Sequence, residues 1–570
     1  MKKLIKITSI TTAILASGMA HAIPELYQLQ VLEKPEEFKN SYPIDINNSG
    51  EVITTLSYRF EYPIDEDRLD LDDEDINLGI NLSSVGTNGV SYYESVKKGV
   101  FNATSLNIVL SYLSSAQTDG QHQVLSSYRT GFADEDEIVE LAIFDRENPA
   151  TEEYFYHNNE TARAINNSGT IVGDAESPLV WTDVDGEDWL IGEFPRRGFA
   201  KTSKTTVELI PPYDDIFGGY SYVADISDEG YIVGYGSVGE TLTLEALEEA
   251  CEDNDDEIPE KVCLWQNLNR NLSNQLSYYK THALRWKINA SGEVTEVKDL
   301  GIGIAQSDVP STSNYYSRAF SVNNNGTVVG DTHTLDANGN VRQQAALFDG
   351  EGGIQILTDP IKYPQSRALK INDNGIVIGT LADTAGLSFV TKSFYYSIDE
   401  GTLGVNILTD FFVDAETKAR DINNQNIIVG RTETNALSSG ARPQHGFVYD
   451  IDTEEMTDLN DVLACETDYR IVDAYAINDD GVILAHASLT QQARDRMGDV
   501  TSSALTGSLV QEQVEYAVKL VPTATGQYSC ILPDNDTTIE RKGAAISWPV
   551  IFFAFMTFLF KGLRSNRKTV

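Results

Sequence analysis

Carboxylates dominate the reactive inventory of this chain. Its 570 residues hold 86 Asp and Glu against 42 Lys and Arg, a formal net charge of −44. Three segments crowd acids densely enough to suggest a hard cation such as calcium, which asks for several oxygen ligands. One runs from Asp65 through Asp70, Asp72 and Asp73 to Asp75. A second, Glu252-Asp253-Asn-Asp255-Asp256-Glu257, begins one residue after Cys251. The third, Asp183-Val-Asp185-Gly186-Glu187-Asp188, is similar to the start of a calcium loop. The twelfth position of that loop is Phe194 where an EF-hand needs Glu, so the full motif is not met. Asp183, Asp185, Glu187, Asp253 and Asp255 remain the candidate metal ligands, and calcium is the candidate cofactor. Acid runs are more commonly solvated loops.

Motifs for other chemistry are sparse. His122, His157, His282, His333, His445 and His486 form no HExxH spacing. No Gly-x-Ser-x-Gly elbow occurs. A glycosidase-like carboxylate pair leaves no local signature, so a carboxylate-dependent hydrolase is one alternative to a binding role. A purely structural calcium-binding protein is the other. The excess of acids repels nucleic acid, which is not expected as a partner.

The elements that would position such residues come from a repeat. A small residue, two variable positions, Ile or Val, then usually Asn lead into a turn and a β-branched run. Examples are Ala162-Arg-Ala-Ile-Asn-Asn-Ser-Gly169-Thr-Ile-Val-Gly173 and Ala368-Leu-Lys-Ile-Asn-Asp-Asn-Gly375-Ile-Val-Ile-Gly379. Seven copies place their turn residues at Gly50, Gly169, Gly230, Gly326, Gly375, Asn426 and Gly481. Asn or Asp followed by Gly supplies the positive φ of a tight turn, and Asn is the next-best tenant after Gly. The flanking Ile and Val suit strands, so each copy reads as two antiparallel strands.

A third strand follows as a small residue with an aromatic, at Gly99-Val-Phe101, Gly198-Phe199, Ala283-Leu-Arg-Trp286, Ala346-Leu-Phe348 and onward. A fourth ends in Leu or Ile, as in Val207-Glu-Leu209 and Ile354-Gln-Ile-Leu357. Four short strands per unit make a propeller blade. The last unit lacks its fourth strand, while Tyr27-Gln-Leu29-Gln-Val31-Leu32 alternates and stands unassigned. The expected fold is therefore all-β, a propeller of about seven blades over 23–530 closed by the N-terminal strand. The spacing between turns is uneven, with insertions at 56–97, 111–160 and 238–281. Insertions in repeat proteins emerge on one face, often the binding face.

Both ends read as targeting segments. Lys2 and Lys3, an apolar run and Ala20-His21-Ala22 form a signal peptide over 1–22. Export permits disulfides. Cys251 and Cys263 are the natural first pair, leaving Cys465 with Cys530. After a linker at 531–542, residues 543–560 are apolar enough for a transmembrane helix, and a basic tail at 561–570 places the C-terminus in the cytoplasm. The expected location is the periplasm or cell surface, anchored in the inner membrane.

The tandem Ala-x-x-Ile-Asn-x-x-Gly-x-Val-Val-Gly with its Ala/Gly-Phe-x-Trp/Tyr resembles the repeats of extracellular HAF-repeat proteins. Signal peptide, repeats and tail together resemble a gammaproteobacterial envelope family of unknown function. Gly543-Ala544-Ala545-Ile546-Ser547-Trp548 is similar to a degenerate Gly-Gly C-terminal sorting signal. The resemblance implies architecture and address, and no reaction. The leading expectation is a binding or scaffold module that engages a protein or glycan in the envelope through its insertions.

Overall fold

The computed structural model describes residues 26–523 apart from 66–68, 70–91, 117–118, 149–153, 255–257, 270–271, 306–313, 386–387, 400–403, 437–441 and 504–506. Seven four-stranded antiparallel sheets form the blades of a propeller. Blade 1 comprises Phe38–Ile46, Val52–Arg59, Tyr128–Ala133 and Val139–Leu141. Blade 2 comprises Glu160–Ile165, Ile171–Ala175, Arg197–Lys201 and Thr206–Leu209. Blade 3 comprises Ser221–Ile226, Tyr231–Glu240, Tyr279–Ile288 and Val294–Asp299. Blades 4, 5 and 6 begin at Ser317–Val322, Ser366–Ile371 and Thr417–Ile422. Blade 7 takes Arg470–Ile477, Ile483–Gln492 and Gln511–Thr523 from one end of the chain and Leu26–Val31 from the other. Leu26 pairs with Thr523 and Val31 with Val518, so the expected closure by the N-terminal strand is observed.

The first strands touch in sequence around the ring, blade 7 against blade 1, and are therefore innermost. Between blades lie the cores. Phe199, Trp286, Phe348, Phe394 and Phe447 of the third strands are fully buried, as the small-aromatic pattern requires. At the closure, Leu32, Phe38 and Val52 pack on Ala476, Leu484 and Ala517. Burying apolar area at about 25 cal/mol per Å² is what holds successive blades together.

Each first strand carries a one-residue bulge, for example between Ala319 and Ser321, and that of blade 7 carries two. The bulge explains the glycine that ends most copies of the repeat. A Cβ on Gly330 would lie 1.9 Å from the Arg318 carbonyl oxygen, and one on Gly234 would lie 1.9 Å from that of Tyr222.

The third strand of blade 1 corrects the reading at Gly99-Val-Phe101. That segment lies between helices Tyr92–Val96 and Ala103–Ala116, and Tyr128–Ala133 takes the strand position instead. Gly131 and Phe132 there supply the small-aromatic pair, opposite Thr54 and Ile53. The blade-1 insertion is thus a single excursion over 60–127. No helix of the described residues is long and apolar enough to cross a membrane. The expected signal peptide, transmembrane segment and basic tail lie outside the described residues.

Candidate functional site

The strand order gives the propeller two chemically distinct ends. Turns between first and second strands emerge at one end; connections between second and third strands emerge at the other.

At the turn end the repeat asparagines meet around the axis. Asn47 Nδ2 donates to the Asn166 carbonyl at 3.1 Å, Asn166 to that of Ser227 at 3.2 Å, and Asn323 to that of Asn372 at 3.2 Å. Asn372 continues to Asn423, Asn423 to Asn478, and Asn478 closes onto Asn47 at 3.1 Å. Each Oδ1 meanwhile caps its own turn, as Asn423 does for Gln425 and Ile427. Ser227 replaces Asn in blade 3 and breaks this inner circuit once.

The next residue forms a second, unbroken circuit. Backbone N–H groups of Asn48, Asn167, Asp228, Asn324, Asp373, Asn424 and Asp479 each donate to the following blade's Oδ1 at 2.8–2.9 Å. The Asn-Asn/Asp pair of the repeat is therefore an inter-blade latch, and the turn residues Gly50, Gly169, Gly230, Gly326, Gly375, Asn426 and Gly481 all hold positive φ beside it. The latches frame a cavity of about 170 Å³ on the axis.

One residue before the Ile, carboxylates enter the channel. Asp45 Oδ2 accepts from Ile165 N at 3.0 Å and Asp421 Oδ2 from Ile477 N at 2.9 Å, again across blades. Asp225 Oδ2 accepts from Ser321 Oγ at 2.6 Å, and its Oδ1 lies 3.1 Å from Lys370 Nζ. Burial lifts the Asp45 carboxyl to about 7, against the attraction of Lys370. Burial likewise raises Asp421. Burial disfavours the Lys370 charge, but Asp225, Asp45 and Asp421 outweigh it and hold its pKa above the ordinary lysine value.

The opposite end carries the insertions. Blade 1 contributes 60–127, blade 2 the hairpin Val180–Val184 with Glu187–Ile191, and blade 3 the helices Leu242–Asp253, Glu260–Leu268 and Leu272–Tyr278. They knit together. Trp189, Leu190 and Ile191 of the hairpin pack with Val124 of blade 1 and Val262 and Trp265 of blade 3. Gln266 Nε2 donates to the Asp119 carbonyl at 2.8 Å, and Leu190 N to that of Gly120 at 2.6 Å. Cys251 and Cys263 are disulfide-bonded and tie the first two helices of blade 3 together.

The candidate metal ligands are placed as follows. Asp185 and Gly186 are the two turn residues of the blade-2 hairpin, with φ of +56° and +90°. Asp183 Oδ1 accepts from Gly186 N at 3.0 Å, and Glu187 pairs in register with Val184. The calcium-like segment is thus a tight β-turn, and the Asp-Gly dipeptide between β-forming residues was the signal for it. Asp253 ends its helix, and Asp255 lies outside the described residues. No group of three or more His, Cys, Asp or Glu fit to hold a metal occurs among the described residues. Cys465 follows Ala464, whose N–H donates to the Tyr27 carbonyl at 2.7 Å, beside the closing strand; Cys530 lies outside the described residues.

The arginines near the repeats form ion pairs. Arg163 meets Asp174 at 3.0 Å and Arg318 meets Asp331 at 2.6 Å within their blades. Arg367 and Arg420 reach Asp331 and Asp473 of adjacent blades at 3.4 and 2.8 Å.

Sheet order, closure and paired circuits define the chain as a seven-bladed β-propeller with an insertion cap on one end. It belongs to the DUF3466 family of proteins of unknown function, whose pattern matches residues 2–559. No curated protein sequence matches it. Among solved structures, a Dyadobacter fermentans protein of unknown function is 10% identical with a TM-score of 0.30, covering 86% of this chain and 98% of that one. A Mycobacterium tuberculosis puromycin-hydrolyzing peptidase is 9% identical with a TM-score of 0.37, covering 85% of this chain and 60% of the peptidase. Likeness at this level carries nothing about activity.

Proposed function

We propose that the protein is an exported, envelope-anchored binding or scaffold module whose insertion end engages a protein or glycan. The observation that supports this reading is topological. The insertions of blades 1, 2 and 3 all leave from connections between second and third strands, and so from one end. They share one small core there, made of side chains from all three blades. Leu26 and Thr523 pair at the turn end, which leaves the insertion end clear of the described chain ends. A rigid scaffold with elaborated loops on one end is a common way to build a recognition surface.

A second reading, a carboxylate-dependent hydrolase in the channel, draws on Asp45 with its raised pKa. Those carboxylates already accept amides of neighbouring blades, an arrangement that favours structure over proton transfer. The third reading, structural calcium binding, rests on the acid runs alone.

Photo-crosslinking in the native cell discriminates. A crosslinking residue at exposed Val180 of the blade-2 hairpin is expected to give discrete adducts, and one at Asn48 of the turn end to give none. Equal labelling from both ends, or adducts from the turn end alone, contradicts the proposal.

A further inference from the structure

The binding reading leaves the ligand open, and resting on that reading we infer that the insertion end carries an oxyanion site where blade 7 meets blade 1, built on Arg59, Arg129 and Arg496. In a chain of net charge −44 an arginine has many carboxylates to choose from, and Arg163, Arg318, Arg367 and Arg420 each take one. Arg59 and Arg496 form no ion pair among the described residues, although acids outnumber bases twofold around the chain.

The fold brings the three together. Arg59 ends the second strand of blade 1, and Arg129 lies at the start of the third. Arg496 stands in the blade-7 connection 493–510, whose Arg496 carbonyl accepts from Glu61 N at 3.3 Å. All three guanidinium groups gather on tyrosines. Arg59 lies 4.3 Å from the Tyr156 ring centre and Arg129 lies 5.1 Å from the same centre. Arg496 lies 4.2 Å from the centre of Tyr58 and 5.6 Å from that of Tyr62. The Tyr62 phenol feels the charge of all three.

Donor capacity is left over at this spot. Arg59 Nε, Arg129 Nη2, and Nε and Nη1 of Arg496 are buried atoms without a hydrogen-bond partner among the described residues. Buried N–H groups are satisfied in the great majority of cases, and leaving one unsatisfied is destabilising. The acids nearby serve Arg129. Its Nε meets Glu140 at 2.7 Å, and its Nη1 meets Asp145 at 2.9 Å and Glu160 at 3.5 Å. Lys39 is neutralised by Glu512 at 2.6 Å. At this spot Arg59 and Arg496 thus have no carboxylate partner among the described residues, and Arg129 is the anchored member. Guanidinium forks match the oxygens of a carboxylate, sulfate or phosphate. That group can arrive free or on an acidic sugar chain, for which half-exposed Tyr58 offers an apolar ring.

Isothermal titration of the full chain at low ionic strength tests this, with sodium sulfate in one arm and trigalacturonate in the other. Saturable binding of at least one probe is expected, weakened tenfold or more in Arg59→Gln/Arg496→Gln and unchanged in the exposed-site control Lys204→Gln. Tighter binding of trigalacturonate assigns the site to an acidic glycan; equal binding assigns it to the free anion. Absence of saturable binding to either probe overturns the inference, as does binding that survives the double substitution. If the double variant fails to fold, Arg496→Lys keeps the charge and loses the fork, and undiminished affinity there overturns it equally. Should titration fail while Val180 still crosslinks, the binding reading stands without the oxyanion. Anion binding with crosslinks confined to the turn end would do the reverse.

Discussion

The repeat asparagine does two jobs at once. In blade 5, Asn372 Oδ1 accepts from Ile376 N at 2.9 Å while its Nδ2 reaches the Asn423 carbonyl at 2.9 Å. The side chain is buried, so truncation leaves polar groups of two blades unpaired. Asn372→Ala is expected to lower stability by about 2–3 kcal/mol, read as a fall in Tm or in the denaturant midpoint. The same circuit shows why the sixth copy keeps Asn426 at a φ of +63° where the others have Gly. Its Oδ1 accepts from Asn372 Nδ2 at 2.9 Å and from Asn374 Nδ2 at 3.2 Å, which glycine cannot offer. Asp45, one layer deeper, adds a pH dependence. Its native pKa of about 7 lies above the ordinary 3.8, so the folded state binds the proton more tightly than the unfolded. That contribution is full below the ordinary value and is lost as pH rises through the native one. Melting temperature should therefore decline from roughly pH 4 to pH 7 through this group, and Asp45→Asn should flatten part of the slope. An unchanged slope in the variant would remove Asp45 from the account.

At the scale of the strand, the bulge and its glycine are one device. The bulge pushes a first-strand carbonyl onto the second strand, and only a residue without Cβ fits opposite. Gly330→Ala places a methyl 1.9 Å from the Arg318 carbonyl oxygen, in a first strand held in register by its pairing with the second. We expect a loss of more than about 3 kcal/mol or failure to fold, whereas Gly339→Ala, with open space around its Cβ, should lose only about 1 kcal/mol for its φ of +80°. Equal melting temperatures for the two would refute the close-approach argument. The turn, its glycine and the flanking strands were legible because their chemistry is local and repeated. The third strand of blade 1 was not. Gly99-Val-Phe101 and Gly131-Phe132 carry the same small-aromatic signature, and only register against Ile53 and Thr54 chooses between them. A local signal for the helix after Gly99 did exist, because Asn102 Oδ1 accepts from Thr104 N and Ser105 N as an N-cap. The latches were half legible. Asn was recognised as a turn former, but its Nδ2 acts on the next blade, far away in sequence. The cluster of Arg59, Arg129 and Arg496 left no trace in the sequence, since three separate elements contribute to it.

For the whole molecule, closure decides whether the repeats make a ring or a stack. Leu26–Val31 supplies the outer strand of blade 7, buries Tyr27, and is bridged to Leu463 on its other side. Without it, Gln511–Thr523 becomes a long edge strand lined on one face by Val518 and Leu520, both buried in the closed ring. Unpaired edges of this kind recruit strands from other chains. The circuits at the turn end do not depend on the N-terminal strand, for Asn478 and Asp479 still reach Asn47 and Asn48. A chain lacking residues 26–31 should thus keep β-sheet circular dichroism while melting at lower temperature and eluting as oligomers in size-exclusion chromatography. A peptide spanning 26–34, added in excess, should restore the monomer and raise the melting temperature, because it can fill the same register from Thr523 to Val518. If the deleted chain remains monomeric with unchanged melting, the seven latches hold the ring by themselves, and the N-terminal strand is only a cover. Rescue by the peptide would instead make strand closure a stabilising element separable from the latches.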